Sequence, residues 1–293
     1  MTGDAAGPDP DTFLSGESGA VTGRRLTASR LLQDRLIDLV EVARGTARRL
    51  DLLADAESRR RVLIMSIYGP GSRLAEARAG PLSSERHETS FAFGAQGDAE
   101  PALRDETVAD HLSGGKFENL NRVLRETPPP GEFDWTLVVD DDVELPARFL
   151  DRFVGICGRY RLDLAQPAQT RASHAAWRVV RRHPLSALRE TRFVEIGPVT
   201  AFRRPVAAEL LPFPPLRMGW GLDVHWAALA EERGWRLGVV DALPVVHRGA
   251  PVAASYGREE ATDEARRFLT GKQYLGGEAA QQTLATHRRV PAP

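Results

Sequence analysis

The stretch "DWTLVVDDDVEL", residues 134 to 145, drives an apolar run into three consecutive carboxylates, Asp140, Asp141 and Asp142. An apolar run of this length reads as a buried strand, and in open α/β sheets ligands gather beyond the carboxyl ends of strands. Hard oxygen donors clustered there suit Mg²⁺ or Mn²⁺, which take carboxylate, water and phosphate oxygens. Taken alone, the motif fits a solvated acidic turn equally well. Two other chemistries built on a strand-end aspartate fit poorly. A haloacid-type phosphatase expects Asp-x-Asp near the start of its domain, followed by Thr or Val. An EF-hand loop needs acids at alternating positions around a central Gly, which this stretch lacks.

The rest of the composition narrows the classes. The 293 residues carry a formal net charge of −1, with no basic excess to mark a nucleic-acid surface. The single cysteine, Cys157, excludes an internal disulfide and reads as a small buried apolar residue in a reducing compartment. The first residues, "MTGDAAGPDPDTFLSGESGA", have neither the basic nor the apolar region of a secretory signal, and no later run is long and apolar enough for a transmembrane helix. These features predict a cytoplasmic protein. Only Lys116 and Lys272 are lysines, all other basic side chains being Arg, so each keeps a compact ammonium where Arg is the rule.

Stepping along the chain, residues 1–23 are rich in breakers and predict a disordered tail. Residues 24–60 form a helical extension, with Leu32, Leu36, Leu39, Val40 and Ala43 at helical spacing, read as a helix lying on the main domain rather than a coiled coil. Residues 61–270 alternate short apolar runs with helical segments, which predicts an α/β domain with a mostly parallel central sheet covered on both faces. Its strands are read at "RVLIMSIYG", "TSFAFGA", "DWTLVV", "LDLAQPA", "RFVEIGPVTAF" and, as two strands around a turn, "RLGVVDALPVVH". Helices are read at "GGKFENLNRVLRE", with Ser113 as a cap, at "PARFLDRFVGICGRY" and at "LDVHWAALAEERG". Residues 271–293 are left as a C-terminal tail.

The flanking stretches give the aspartates a context. "GGKFENLN", with Gly115, Lys116, Leu120 and Asn121, resembles the segment that precedes the acidic strand in family 2 glycosyltransferases. "VTAFRRPVAAELLPF" resembles their acceptor-side strand and helix. "MGWGLDVHWAALAEERGWRLGVVDALPVVH" resembles their acidic helix, Gly-Trp turn and late His, with Asp223, Gly234-Trp235 and His247 in those places. The order of "VEIGPV", "GWGLD" and "GVVD…VVH" also resembles an uncharacterised plant and bacterial glycosyltransferase-like group. Leu222 stands where the usual pattern has an acid. The resemblance covers roughly residues 61–250 as an ordered series of individually weak motifs.

It implies a GT-A-type nucleotide-binding sandwich and a metal-dependent, inverting transfer from a nucleotide-sugar donor to an unknown acceptor hydroxyl. Under that resemblance Asp142 and His247 ligate Mn²⁺ or Mg²⁺, and Asp140 supports the ion through water or holds the ribose. Asp223 is the base, although a helix cap is a compatible reading. Lys116, Arg203 and Arg204 are phosphate contacts, and Asn121 belongs to the donor side. Ser66 and Tyr68, with Glu88 or Asp98, face the base and ribose, and Trp220 stacks on a sugar. His174 and Glu195 line the acceptor side or are ordinary paired groups. The alternatives are a nucleotidyltransferase using "YGPGSRLAEARAG" as a phosphate loop, or a silent sugar-nucleotide-binding protein.

Overall fold

A computed structural model describes residues 8–14, 24–247 and 257–293. The chain opens with a helical turn, α1 (Pro10–Phe13), and two helices, α2 (Arg24–Ala43) and α3 (Thr46–Ala56). The domain proper runs β1 (Arg61–Tyr68), α4 (Leu74–Ala79), β2 (Glu88–Ala95), β3 (Thr107–Ala109), α5 (Lys116–Arg125), β4 (Trp135–Val139), β5 (Val143–Glu144), α6 (Phe149–Arg159) and β6 (Leu164–Gln169). It continues through β7 (Leu188–Thr191), β8 (Val199–Arg203), α7 (Arg204–Leu210), α8 (Leu222–Arg233) and β9 (Leu237–His247), then α9 (Arg258–Leu269), α10 (Gly277–Ala280) and β10 (Thr283–His287).

Among the described residues nine strands join in the order β10-β7-β9-β6-β8-β4-β1-β2-β3, and β5 pairs with β9 off this path. The alternating first half supplies the parallel part, β4-β1-β2-β3, while β8 runs antiparallel to both β4 and β6. Alternate residues of β1 enter opposite cores: Leu63 and Met65 pack with Phe117, Phe213 and Trp226, whereas Val62 and Ile64 pack with Leu53, Phe149 and Phe153. This two-sided burial explains why the strand reads as an unbroken apolar run.

Several boundaries differ from the sequence reading. "RFVEIGPVTAF" is not one strand, because residues between β7 and β8 leave the sheet and form a wall beside Asp140. "RLGVVDALPVVH" is a single strand, its central Asp241 tolerated because Arg189 pairs with it at 2.8 Å. The stretch read as a C-terminal tail contains β10, an edge strand paired with β7, and buried Val290. Residues 1–7 and 15–23 of the expected disordered tail lie outside the described residues. Residues 8–14 are packed, with Phe13 buried, its ring edge-on to Tyr274 at 6.2 Å, and Thr12 Oγ1 2.9 Å from the Tyr274 hydroxyl. Within the helical extension, α3 sends Leu50 and Leu53 into the domain core. Cys157 is fully buried, and burial pushes its thiol well up, as befits a packing residue.

Candidate active site

The carboxyl end of β4 opens on two cavities that share Lys116, Asp140 and Met218. One, of about 390 Å³, is lined by Gln96, Gly114, Gly115, Lys116, Asn119, the three aspartates and Arg217. The other, of about 270 Å³, is lined by Asp223, Glu195, Gln169, His174 and His247 among the aromatic and apolar side chains of Phe13, Phe117, Trp177, Met218 and Trp220.

The three aspartates separate by function. Asp141 turns back to the preceding loop: its carboxylate accepts from the Gly69 amide at 3.0 Å and its carbonyl from the Arg73 amide at 3.0 Å. Burial raises its pKa, against the lowering effect of the Gly69 bond. Asp140 and Asp142 point to the cavities, and with His247 they bring one ligand atom each within 4.8 Å of one another. The antiparallel pairing of Val143 with His247 creates this juxtaposition, since β5 follows the aspartates directly and lays the end of β9 beside them.

The imidazole is oriented for ligation. Its Nδ1 donates to the His174 carbonyl at 3.3 Å, which turns Nε2 toward Asp142 Oδ1 at 3.3 Å. Burial alone lowers the His247 pKa, but the bond to Asp142 and the charges of Asp142 and Asp140 outweigh it, and the ring sits above its ordinary value. Burial likewise raises Asp142, but the bond and charge of His247, a backbone hydrogen bond and the charge of Lys116 together hold it below its ordinary value. Two carboxylates and an imidazole are a donor set that fits a divalent ion such as Mn²⁺. Lys116 Nζ, 2.6 Å from Asp140 Oδ1 and 3.3 Å from the Ile196 carbonyl, stands on the border of the two cavities.

Asp223 lies in the first turn of α8, which is capped by Gly221 at φ 90°. Its Oδ1 accepts from the Val224 amide at 2.9 Å, and the Trp177 side chain hydrogen-bonds to the carboxylate. Burial dominates these bonds and lifts its pKa to about 7. Glu195 is also buried, and burial together with the charge of Asp223 raises it to about 8. It accepts from Gln169 Nε2 at 2.8 Å and from the Ala176 amide at 3.2 Å, while its own amide donates to Gln166 Oε1. Gln169 Oε1 and His174 Nδ1 are buried without a hydrogen-bond partner among the described residues. Burial lowers the pKa of His174.

The glycines of the sequence motifs have a steric cause. The turn over residues 217–221 lies against the start of α5, where a Cβ on Gly115 would strike the Arg217 backbone and one on Gly219, at φ 79°, would strike the Phe117 ring. The turn is held from α9 by Glu264, whose carboxylate accepts from the amides of Arg217, Met218 and Gly219 at 2.7, 2.9 and 2.9 Å. The start of α5 is closed by Glu118, which accepts from the Gly115 amide at 2.8 Å, so Gly115 and not Ser113 is its cap.

Not every sequence candidate reaches the site. Ser66 is fully buried within β1, its hydroxyl without a partner among the described residues, and lines neither cavity. The Tyr68 hydroxyl lies 2.8 Å from Thr107 Oγ1 and accepts from the Glu100 amide at 3.0 Å, fastening a loop. Asn121 clamps Phe213 through its amide and carbonyl, both at 2.9 Å. Because β8 is antiparallel to β4, Arg203 pairs with Trp135 at the far end of the sheet from Asp140, and it binds Asp163 at 3.3 Å. Arg204 binds Asp134 at 2.8 Å at that same end. Glu88 pairs with Arg61 and Asp98 with His111, and neither lines a cavity. Arg73 of the glycine-rich loop pairs with Glu76 and Glu144, and the loop lines neither cavity. Gln96, Asn119, Gln169, Trp177 and Glu264 are site residues that the sequence reading missed. The late His ends the described part of β9, and the neighbouring Arg248 lies outside the described residues.

No family model matches the chain, and no curated protein does. Solved structures do. GalNAc-T7 with UDP, GalNAc and Mn²⁺ superposes at a TM-score of 0.51 with 11% identity, over 72% of this chain and 48% of that one. The mannosyltransferase PcManGT from Pyrobaculum calidifontis, in complex with GDP-Man and Mn²⁺, gives 0.45 and 17%, over 75% and 67%. S. aureus TarS 1-349 with UDP-GlcNAc gives 0.47 and 14%, over 72% and 65%. The chain thus spans about half the length of the GalNAc-T7 chain. The likeness to GalNAc-T7 establishes a GT-A-type fold. Among the described residues no helix is long and apolar enough to cross a membrane.

Proposed function

We propose that the chain transfers a glycosyl group from a nucleotide-sugar donor to an acceptor hydroxyl, with inversion and with a divalent cation. The observation that carries this reading is that the Asp140–Asp142–His247 corner and the buried carboxyl of Asp223 meet in one pair of joined cavities at the end of β4. The fold shared with GalNAc-T7, whose structure holds UDP, GalNAc and Mn²⁺, supports it.

Asp140, Asp142 and His247 would hold Mn²⁺ or Mg²⁺, which when bound neutralises charge on a departing diphosphate. The polar cavity suits the nucleotide, with its phosphates at the start of α5 beside Lys116, where a helix N-terminus and an ammonium both favour an anion. The sugar lies toward the aromatic cavity, where Trp220 offers a ring face. Asp223 takes the proton of the acceptor hydroxyl as that oxygen bonds to the anomeric carbon, and the bond from that carbon to the phosphate oxygen breaks with its electron pair leaving on the diphosphate. A carboxylate with a pKa of about 7 is matched to this task at neutral pH. Glu195, raised to about 8, holds a proton at that pH and keeps a second negative charge away from Asp223.

Incubation of the protein with UDP-, GDP- and TDP-sugars plus Mn²⁺, scored for free nucleotide, tests the assignment. Release that disappears in Asp142→Ala and Asp223→Asn is expected. Binding of donors without turnover, unchanged by either substitution, overturns it.

A further inference from the structure

Helix α2 lies on the domain with its polar side inward, so that Leu32, Leu36 and Leu39, which periodicity alone would bury, face solvent. Asp34, on the inward side, is only 6% exposed. Its carboxylate takes two successive backbone amides, Arg171 on Oδ1 at 3.0 Å and Ala172 on Oδ2 at 3.1 Å. Both belong to a turn that follows β6. The Ser173 amide closes this turn on the Thr170 carbonyl at 3.0 Å, and the Thr170 and Ser173 hydroxyls lie 2.6 Å apart. The amides of the two central residues take no part in the closing bond, and successive amides turned outward together make a concavity that suits an anion. Arg181 grips the same stretch by its carbonyls, donating to those of Arg171, Ser173 and Ala175 at 3.2, 3.1 and 3.2 Å. A carboxylate thus holds the amides of the turn and a guanidinium its carbonyls.

The turn is the seat of His247. The Ser173 hydroxyl accepts from the His247 amide at 3.0 Å, and the His174 carbonyl accepts from its Nδ1 at 3.3 Å. Asp142 Oδ1, 3.3 Å from Nε2, is the rival acceptor for the single proton of the neutral ring. A proton on Nδ1 leaves the Nε2 lone pair to a cation, whereas a proton on Nε2 occupies it. We infer, on the reading of Asp140, Asp142 and His247 as a cation site, that Asp34 is a positioning residue for it: by holding the turn, Asp34 fixes the His174 carbonyl and so keeps the His247 proton on Nδ1. Helix α2, outside residues 61–250 and their motifs, thereby acts on the metal corner. Two other bonds that fasten α2, Asp38 to Arg182 and Gln33 to the Arg171 guanidinium, both at 2.6 Å, end on side chains and not on the amides of the turn. Asp38→Ala is therefore the control for loosened docking of the helix.

Nitrogen-15 spectra of the imidazoles in the metal-free full chain, at a pH where the ring is neutral, read which nitrogen carries the proton, and titration with Mn²⁺ alone reads affinity. The wild type should show His247 protonated on Nδ1. Asp34→Ala should move the proton toward Nε2 and weaken Mn²⁺ binding by about 10- to 100-fold, the usual effect of losing an outer-shell partner of a metal-binding histidine, with near-ultraviolet circular dichroism retained. Asp34→Asn keeps the volume and one acceptor oxygen, so it should lose less, and it is the variant to measure if Asp34→Ala does not fold. Asp38→Ala should alter neither reading. A folded Asp34→Ala with the wild-type ring state and affinity overturns the proposal, as does a wild-type ring protonated on Nε2 or an equal change in Asp38→Ala. A wild type that shows the Nδ1 proton but binds no Mn²⁺ overturns the cation-site reading instead, and the ring state of Asp34→Ala then decides the positioning role by itself.

Discussion

The two cavities that share Asp140 are built on opposite principles. The polar cavity is open to the three aspartates, two glycines and Lys116, and two of its acids have a partner beside them: Lys116 against Asp140, His247 against Asp142. In the aromatic cavity Asp223 and Glu195 have hydrogen bonds but no cation within ion-pair distance among the described residues, and burial raises both. On the proposed reading, this difference divides the labour of one reaction between the two sets of carboxyl groups. Paired acids stay available to a cation, while buried acids without a cationic partner among the described residues exchange protons near neutrality.

The sharpest way to break this contrast is to change one acid on each side. Asp223→Asn should lower turnover by about 10² to 10⁴, the usual worth of a general base, while nucleotide and Mn²⁺ binding measured by calorimetry stay at the wild-type level. Asp142→Ala should instead abolish Mn²⁺-dependent nucleotide binding. In the wild type that binding should weaken as pH falls through the His247 titration, above the ordinary imidazole range, since a protonated ring cannot ligate. Equal loss of binding in both variants would mean that the two cavities do not separate in this way.

The second difference lies in stability against pH. Between its ordinary value of 3.8 and about 7, Asp223 keeps a proton in the native state that the unfolded chain has lost, and Glu195 does the same from 4.5 to about 8. The native state binds more protons there, so unfolding free energy falls as pH rises through that window. Asp223→Asn and Glu195→Gln cannot ionise, so each should flatten the slope and be more stable than wild type at pH 8, by up to ~4 kcal/mol for Asp223. Thermal melts at pH 5 and pH 8 check this, and a wild type that is more stable at pH 8 than at pH 5 relative to both variants would contradict it.

The turn that separates the cavities is the next point of attack. Glu264→Ala removes the acceptor for three amides of residues 217–219, a loss of about 1.5–3 kcal/mol for charge-assisted bonds. Because Met218 lines both cavities, donor and acceptor KM should rise together by several fold, whereas Glu264→Gln should recover part of the loss. A change confined to one substrate would show that the turn serves only one side.

The parts of this site that could be read from the sequence are those whose chemistry is local. Apolar β4 running into Asp140 to Asp142 announces a strand end with ligands, and Gly219 and Gly221 mark a tight turn before an acidic helix. Glu264 and Gln96 carried no such signal, because an acid on an amphipathic helix and a glutamine after a strand are ordinary until the fold brings them to a loop. The antiparallel direction of β8 was equally hidden: a strand's pattern is the same in either direction, so Arg203 was expected at the phosphates and lies at the opposite end of β4. In α2 the periodicity identified a helix correctly, yet its buried side was chosen by hydrogen bonds from Arg171, Ala172 and Arg182, which periodicity does not register.

The smallest expected effects test those corrections. The hydroxyl of Ser66 is buried without a partner among the described residues, so Ser66→Ala removes a desolvated polar group and loses no hydrogen bond, and stability should shift by less than about 1 kcal/mol, toward stabilisation. Arg203→Ala breaks only a half-exposed pair with Asp163, worth about 0–1 kcal/mol. Neither should alter donor KM, since neither side chain lines a cavity, whereas Lys116→Ala should raise it because Lys116 borders both. If Ser66→Ala or Arg203→Ala raised donor KM as much as Lys116→Ala does, the nucleotide would have to reach beyond the two cavities, and the boundary drawn here between paired and buried acids would no longer coincide with donor and acceptor.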